Sequence, residues 1–501
     1  MQRVLHNALP GALKYILILV ATIYVLTYLV LAYTRIPYPF ELEWMEGGVL
    51  DHVNRILAGR KLYVAPSLEF VPFIYTPLYF YVSAIVSSVC GPGLPPLRMV
   101  SLMASLGCFL IIYLFVRRET NSAFAGGLSC SLFVATFREC GAWFDLARND
   151  SLFLLFSLSA LYVLRFGTHL RSFVISGILF FIAFLTKQTA LIIVLPLILY
   201  CALTRLRYAM ALLCTVGGLV VASTLVLDWV HDGWYSFYVF DLPQQHPIVG
   251  DMIIKFWTQD LLGPLAISCA MSGFYLWLQA SRRATNNLLF YSLAAVGMVG
   301  GAWMSRLHQG GHLNNLFPAY AMICILFGLA IHELLGLVKS RRSASQSLGP
   351  GHVFAICIMQ YACLLYNPFS LCPSVDDLEA GRRLVARIKG IDGDVFIPCH
   401  PYLASAVNKG TFAHQMAILD IFKSGKSDMK EALRDELLLA VGNRRFGAVL
   451  VDVDWFPVEL EPFYIRQGDV FGQDEVFWPV SGWRIRPEAI FVPTEEDGWE
   501  R

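Results

Sequence analysis

The sequence predicts an all-α, polytopic membrane protein of about 11 transmembrane helices with a small C-terminal α/β domain outside the membrane. First, 56% of the 501 residues are hydrophobic and only 15% are charged, whereas a soluble domain has about 25% charged residues. Second, the first 367 residues contain eleven apolar stretches of nearly membrane-spanning length. Third, 22 of the 37 acidic residues fall in 368–501. The composition excludes a soluble enzyme, and the net charge of +1 argues against a nucleic-acid partner.

The predicted membrane domain covers residues 1–367. Its spans are predicted at 13–33, 98–116, 121–139, 151–167, 172–186, 189–204, 208–227, 261–280, 287–304, 315–337 and 352–367. The first span is too long for a signal-peptide core and is interpreted as a retained anchor. A further apolar stretch at 72–90 is predicted to be re-entrant or to lie on the surface, because all basic loops then face the side of the N-terminus. This topology predicts a multi-pass protein of the cell inner (plasma) membrane, with a cytoplasmic N-terminus and an extracytoplasmic C-terminal domain.

The predicted first outer loop, residues 34–97, has three carboxylates at the membrane boundary. Glu41, Glu43 and Glu46 precede a segment in which apolar residues recur at helical spacing, which predicts an amphipathic helix on the membrane surface. Singly, such carboxylates are usually solvated or stabilise the helix dipole. Together, they are placed to take a proton from a hydroxyl or to hold a metal ion. Since 13 of the 15 acids in 1–367 fall on the predicted outer face, we expect any chemistry there.

Two further outer-face segments combine charges with apolar runs. In the first, Arg148 and Asp150 stand at the start of a span, where Asp150 is either a helix N-cap or part of a site. In the second, Lys187 and Gln188 form a tight break between two spans. A lysine there either extends to the interface or binds a lipid phosphate.

A third segment follows the ninth predicted span and contains a Gly-Gly turn. Its polar residues are Arg306, His308, His312, Asn314 and Asn315. Two histidines four positions apart could ligate a metal ion. The intervening Gly310 and Gly311 argue against a single helical face, so hydrogen bonding to a phosphate or a sugar is the favoured interpretation.

Taken together, the outer-face motifs resemble those of the GT-C superfamily of integral-membrane glycosyltransferases. The greatest similarity is to the bacterial branch related to protein O-mannosyltransferases and to the aminoarabinose transferase of lipid A. Besides the first-loop carboxylates, the motifs are Ala58-Gly59-Arg60-Lys61-Leu62-Tyr63, Tyr75-Thr76-Pro77-Leu78-Tyr79, Arg148-Asn149-Asp150 and Thr186-Lys187-Gln188-Thr189. The resemblance covers roughly residues 10–340 and implies a GT-C-like catalytic domain.

The resemblance also implies a reaction. A sugar would move from a polyprenyl phosphate to a glycan, lipid or protein acceptor on the outer side of the membrane, with inversion and a first-loop carboxylate as base. Glu46 matches the acid before the glycine, but Met45 stands where many relatives have aspartate. The base is therefore either Glu43 or Glu46, and Asp150 matches the second-loop acid.

The resemblance further implies a binding site for the donor phosphate. Lys187 matches the basic residue placed against the phosphate, with Arg306 or His308 as helpers. The remaining residues expected to bind donor or substrate are Tyr75, Arg148, Gln188 and Asn314. The sequence identifies no cofactor with certainty, and whether a divalent metal ion takes part is left open.

The C-terminal part, residues 368–501, alternates short β-branched runs with helical segments, which predicts a small α/β domain acting as a cap or an acceptor-docking unit. Asp452 and Asp454 have the spacing of a sugar-nucleotide site, but aspartates are common at strand ends. Cys372 and Cys399 are the one pair considered for a disulfide bond. A transporter or flippase is the alternative function, although it predicts ionisable residues in the middle of the spans.

Overall fold

The computed structural model describes residues 2–340, 349–452 and 458–494. The helices of the membrane part are α1 (Gln2–Arg35), α2 (Glu46–Leu57), α3 (Leu78–Cys90), α4 (Leu94–Thr120), α5 (Ala123–Ala135), α6 (Asp150–Phe166), α7 (Leu170–Thr186), α8 (Ala190–Thr204), α9 (Leu206–Val230), α10 (Trp234–Ser236), α11 (Leu242–Gln244), α12 (Met252–Lys255), α13 (Gly263–Ser281), α14 (Thr285–Leu307), α15 (Phe317–Ser340) and α16 (Pro350–Ala362). Single irregular helical turns lie at Phe237–Asp241, Phe256–Leu262, Leu313–Leu316 and Pro368–Leu371.

Each of the eleven predicted spans coincides with a helix in this part of the chain: α1, α4 to α9 and α13 to α16. Among the described residues, six stretches are long and apolar enough to cross a membrane by length and composition. The chain is therefore a multi-pass, largely helical protein, and the number of crossings stays a prediction.

Helix α3 occupies most of the ambiguous stretch 72–90. Its 13 residues extend about 20 Å, less than the roughly 30 Å of the hydrocarbon core. At its start, the Tyr79 hydroxyl donates to the carbonyl oxygen of Leu97 at 2.8 Å, and its end is joined to α4 through Gly91–Gly93. The start of α3 thus contacts the first turns of α4, and its re-entrant or surface-lying position stays a prediction.

The charged groups of the membrane part gather at the two ends of the bundle. At one end, Arg165 of α6 pairs with Glu119 of α4 and donates to Asn287 of α14 at 2.8 Å. At the other end lie the start of α6, the break after α7 and the start of α15, where the Lys187 ammonium joins Asp150 to Asn315. The polar residues predicted for the outer face therefore do come together.

Helix α2 begins at Glu46 as expected, but protein covers the apolar face that was expected to meet the membrane. Val49 and Val53 are 2% and 0% exposed, and a Cβ atom at Gly48 would overlap Phe73 and contact His414 of the C-terminal part. The apolar face of α2 is therefore covered by protein. Its early glycines have a steric reason, because the C-terminal part approaches the helix backbone too closely for a side chain.

The C-terminal part is the small α/β unit that the sequence predicts. Its helices are α17 (Val375–Lys389), α18 (Tyr402–Ser405), α19 (Gln415–Lys423) and α20 (Ser427–Gly442), and its strands are β1 (Asp394–Phe396), β2 (Phe446–Val451), β3 (Tyr464–Asp469) and β4 (Ala489–Pro493). The strand order is β1-β2-β4-β3, with β1 and β2 parallel and the other pairs antiparallel. Cys372 and Cys399 are free thiols, so the considered disulfide is not formed. Asp454 lies outside the described residues.

Candidate active site

A cavity of about 890 Å³ lies where the end of the helix bundle that holds Lys187 meets the C-terminal part. Seven of the ten predicted site residues line it: Glu43, Tyr75, Arg148, Lys187, Gln188, His308 and Asn314. Apolar side chains form much of the remaining wall, among them Ile192, Phe240, Met304, Met416 and Leu419. The cavity therefore combines a charged surface with an apolar one.

Glu43 contributes a carboxylate to the wall of this cavity. Its side chain is 1% exposed, its Oε2 lies 3.6 Å from Arg148 Nη1, and Oε2 has no hydrogen-bond partner among the described residues. Burial raises the pKa of Glu43 to about 8, and the nearby Arg148 charge limits that rise. Glu43 is thus a carboxylate with an unused oxygen and a high proton affinity.

Gly482 of the C-terminal part fixes the position of Glu43 from the other side. Its φ of +74° favours glycine, and a Cβ atom there would lie 2.7 Å from Glu43 Cγ. The adjacent Ser481 amide donates to the carbonyl oxygen of Leu42 at 3.1 Å, and the Ser481 hydroxyl accepts from Trp143 Nε1 at 2.7 Å. The loop that carries Glu43 is therefore held by the C-terminal part.

Arg148 lies between two aromatic rings. Its guanidinium is 5.0 Å from the Trp143 ring centre and 5.3 Å from that of Tyr75, and Nη2 donates to the Tyr75 hydroxyl at 2.8 Å. Such stacking holds the planar group in one orientation. Nη1 has no hydrogen-bond partner within the described part of the chain, so it is available to an anion.

Glu46 has a different environment from Glu43 and does not line the cavity. It is 0% exposed and accepts from Arg98 Nε and Nη2 at 2.9 and 2.6 Å. The backbone amides of Leu42 and Ala147 complete its hydrogen bonds at 2.8 and 2.7 Å. Although burial alone would raise it, the Arg98 charge and these bonds hold the pKa of Glu46 below its usual value.

Lys187 directly follows α7, lines the cavity and contacts Asp150. Its ammonium donates to Asp150 Oδ1 at 2.6 Å and to Asn315 Oδ1 at 2.8 Å, while Asn314 Nδ2 donates to Asp150 Oδ2 at 3.0 Å. Asp150 does not itself line the cavity. It therefore acts on the site through the lysine and the asparagine that it holds.

Gln188 lines the cavity, but its amide group also makes structural bonds. Its Nε2 donates to the backbone oxygens of Ile74 and Val239 at 2.7 and 3.1 Å. It thereby ties the strand-like segment before α3 to the turn at Phe237–Asp241.

In the segment around the end of α14, the two histidines line the cavity but the arginine does not. Arg306 does not line the cavity and pairs with Asp260 at 2.9 Å. His308 and His312 both line it, and the His312 ring stacks on Trp143 with 5.3 Å between ring centres. In the described residues, no three His, Cys, Asp or Glu side chains are arranged to hold a metal ion.

The sequence analysis missed a buried network between the first outer loop and the C-terminal part. His400 Nδ1 shares a hydrogen bond with Glu41 Oε2, and His400 Nε2 lies 3.5 Å from Asp452 Oδ1. The Glu41 amide donates to the Tyr402 hydroxyl at 3.2 Å. Although burial alone would lower it, the two carboxylates raise the pKa of His400 to about 10. A positive His400 thus binds the loop that carries Glu43.

A signal for this network was present in the sequence. His400 and Asp452 follow β1 and β2, and the carboxyl ends of parallel neighbouring strands lie at one sheet edge. A Cβ atom at Gly47 would overlap Tyr402, so the Gly-Gly pair marks a close approach of two segments.

Comparisons with known proteins agree with this architecture. A sequence profile of the family described as dolichyl-phosphate-mannose-protein mannosyltransferase matches residues 74–229. The fold is similar to ArnT from Cupriavidus metallidurans bound to undecaprenyl phosphate, with a TM-score of 0.60, 11% identity and coverage of 95% of this chain and 98% of that chain. The resemblance found in the sequence is confirmed. The chain has the fold of the GT-C membrane glycosyltransferases.

Two further structures share this GT-C fold. The apo state of the same ArnT gives a TM-score of 0.59 at 13% identity, with 96% of this chain and 98% of that chain covered. The Archaeoglobus fulgidus oligosaccharyltransferase, in complex with Zn and sulfate, gives 0.50 at 12% identity, with 93% and 73% covered. No curated protein matches the chain in sequence. Outside residues 74–229, the likeness is thus one of fold.

Proposed function

We propose that this protein transfers a sugar from a polyprenyl phosphate to an acceptor hydroxyl at the outer face of the membrane. The observation that carries this proposal is the cavity itself. A carboxylate with an unused oxygen, Glu43, shares one cavity with the cations Arg148 and Lys187 and with an apolar wall. A base, an anion site and a lipid-compatible surface are the three groups that such a transfer needs.

Glu43 is the proposed base. It takes the proton of the acceptor hydroxyl, whose oxygen then attacks the anomeric carbon of the donor sugar. As that bond forms, the bond from the anomeric carbon to the phosphate oxygen breaks, and its electron pair leaves with the phosphate. Attack opposite the leaving group inverts the anomeric configuration. Glu46 does not suit this role, since Arg98 and two amides already occupy its oxygens.

Lys187 and Arg148 are the proposed partners of the donor phosphate. Negative charge on the phosphate grows as the sugar departs, so fixed cations stabilise the transition state more than the ground state. Asp150 and Asn315 hold the Lys187 ammonium, and Tyr75 holds the Arg148 guanidinium. His308 and Asn314 are proposed to contact the substrate from the same wall.

The apolar wall is the proposed path of the polyprenyl chain. Ile192 of α8 and Met304 of α14 line the cavity, and Met304 is 45% exposed at the side of the helix bundle. ArnT, which shares the fold, was solved with undecaprenyl phosphate bound. The cell inner membrane, a cytoplasmic N-terminus and a glycan, lipid or protein acceptor complete the proposal.

The test is transfer from defined donors. Monodisperse protein in lipid nanodiscs is incubated with radiolabelled polyprenyl-phosphate hexoses and pentoses together with membrane extracts as acceptors. We expect label to leave one donor with release of polyprenyl phosphate, and Glu43→Gln protein to release it at least about a hundredfold more slowly. In sealed vesicles, movement of an intact donor across the bilayer without cleavage would support the transporter alternative and contradict the proposal.

A further inference from the structure

Two buried polar side chains in the cavity wall take no part in the chemistry proposed above. His246 and Asp420 are 7% and 3% exposed, and both line the cavity. His246 Nε2 lies 3.3 Å from Asp420 Oδ1, yet neither atom makes a hydrogen bond of proper geometry with any described residue. Burying polar atoms with incomplete hydrogen bonds is unfavourable, so their placement indicates a ligand that supplies the missing bonds.

The two residues come from different parts of the chain that are fixed to each other. His246 follows α11, while Asp420 belongs to α19 of the C-terminal part. Beside them, the Gly425 amide donates to Gln245 Oε1 at 2.6 Å. The pair is therefore a built site rather than two mobile surface groups.

Contacts place this pair on the same wall as the proposed phosphate site. The His246 carbonyl oxygen lies 3.3 Å from His308 Nδ1, and Gln188, the neighbour of Lys187, donates to the Val239 carbonyl oxygen. The segment 239–246 is thus anchored to the residues around Lys187. Glu43 faces the cavity from another segment, beside Gly482 of the C-terminal part.

We infer that Asp420 and His246 form the subsite that recognises hydroxyl groups of the donor sugar. A carboxylate accepts hydrogen bonds from sugar hydroxyls, and an imidazole nitrogen can donate to or accept from the same groups. A carboxylate such as that of Asp420 does not suit the anionic donor phosphate, and a carboxylate beside an imidazole does not suit the polyprenyl chain. The sugar, which is bonded directly to the phosphate, is the part of the donor that this subsite fits. The inference rests on the proposed function.

The experiment measures discrimination between donors rather than activity alone. The polyprenyl-phosphate sugar that the wild-type protein uses is compared with its monodeoxy derivatives, each lacking one hydroxyl. For one derivative, we expect wild-type kcat/KM to fall about ten- to hundredfold, the effect of one hydrogen bond to a charged group. Asp420→Asn and His246→Gln should lower kcat/KM for the parent donor and bring the two donors to within about threefold of each other.

Sugar-free polyprenyl phosphate provides the second measurement. Its inhibition constant should be the same in wild type, Asp420→Asn and His246→Gln, because the variants retain the phosphate site. Asp428→Asn, an exposed change on α20, is the matched control and should alter neither quantity. If Asp420→Asn does not fold, His246→Gln alone decides.

Equal loss for the parent and every deoxy donor, or weaker inhibition by polyprenyl phosphate, would overturn the sugar assignment while the proposed function stands. A wild-type protein that cleaves none of the donors would instead refute the proposed function.

Discussion

Glu43 and Glu46 are three positions apart in one loop, yet they belong to two regions with opposite properties. Around Glu46, each carboxylate oxygen is bonded, and the Arg98 charge is matched. Around Glu43, the nearest cation is 3.6 Å away and one oxygen is unbonded. In the first region, the hydrogen bonds of the buried carboxylate are complete, as is typical of a structural contact. In the second region, a buried carboxylate oxygen is free to bond a ligand.

The difference shows how one motif can serve two purposes. The structural contact at Glu46 connects the start of α2 to the start of α4 and to the segment before α6. That fixed frame lets the neighbouring Glu43 remain incompletely bonded, because its backbone does not depend on its own side chain. Stability is concentrated in one carboxylate and reactivity in the other.

The largest expected effect comes from exchanging each glutamate for its neutral isostere. Glu43→Gln should lower kcat by about 10² to 10⁴, the usual contribution of a general base, while the melting temperature is retained. Glu46→Gln should instead destabilise the protein by about 3 to 5 kcal/mol, because Arg98 is left buried without its counter-charge. Rates per monodisperse protein and thermal melts in detergent measure both, and full activity of Glu43→Gln would remove the distinction.

The next effect concerns the cation of the open region. Lys187→Met should lower kcat about a hundredfold, typical of losing one electrostatic contact to a developing charge, and Lys187→Arg should recover part of that loss. The matched control is Arg165→Met, which breaks a buried pair at the opposite end of the bundle. That variant is expected to change stability but not the rate per folded molecule. An unchanged rate in Lys187→Met would contradict the phosphate assignment.

A smaller effect should follow from loosening the loop itself. His400→Gln removes the charge that binds Glu41, and we expect a loss in kcat of about tenfold, below the hundredfold cost of displacing a catalytic group by about 1 Å. Two double variants test whether His400 acts on the rate through Glu41 and Glu43. The Glu41→Gln/His400→Gln double variant should lose no more than the worse single variant. In a Glu43→Gln background, His400→Gln should cost nothing further, whereas a general folding defect would still lower the residual rate.

The smallest effect is in the pH dependence. The pKa of Glu43 is raised to about 8, and only the ionised form can accept a proton. The value of kcat/KM should therefore rise about threefold between pH 7.5 and 8.5 and then level off. A carboxyl whose pKa is higher in the folded than in the unfolded protein also makes stability fall as pH rises from 4.5 towards about 8. Glu43→Gln should lack that decline, and a rate that falls with pH would contradict the assignment.

Much of the helical architecture could be predicted from the sequence, because membrane spans are long apolar runs and the boundary charges stand out between them. The predicted spans all coincide with helices, and Lys187 and Arg148, which were expected on one face with Glu43, line the same cavity as that residue. The sequence predicted that α2 lies on the membrane. Its apolar stripe shows that one helix face is buried, but it does not show whether lipid or protein covers that face. Here the C-terminal part covers it.

The sequence could not show which of the charged residues are paired in the structure and which remain unpaired. Whether Glu43 or Glu46 is free depends on Arg98, 52 positions after Glu46. The importance of His400 depends on Glu41, 359 positions earlier. Such pairings require the tertiary fold, since nothing in the local pattern distinguishes one buried carboxylate from the next.

The same separation of 359 positions between Glu41 and His400 has a consequence for biosynthesis. Translation at about 5 to 20 residues per second would take roughly 20 to 70 s to make the chain between them. During that interval, the helices of the N-terminal half can enter the membrane while the loop with Glu43 lacks its clamp. The loop with Glu43 therefore reaches its final position only when the last part of the polypeptide has folded onto the first.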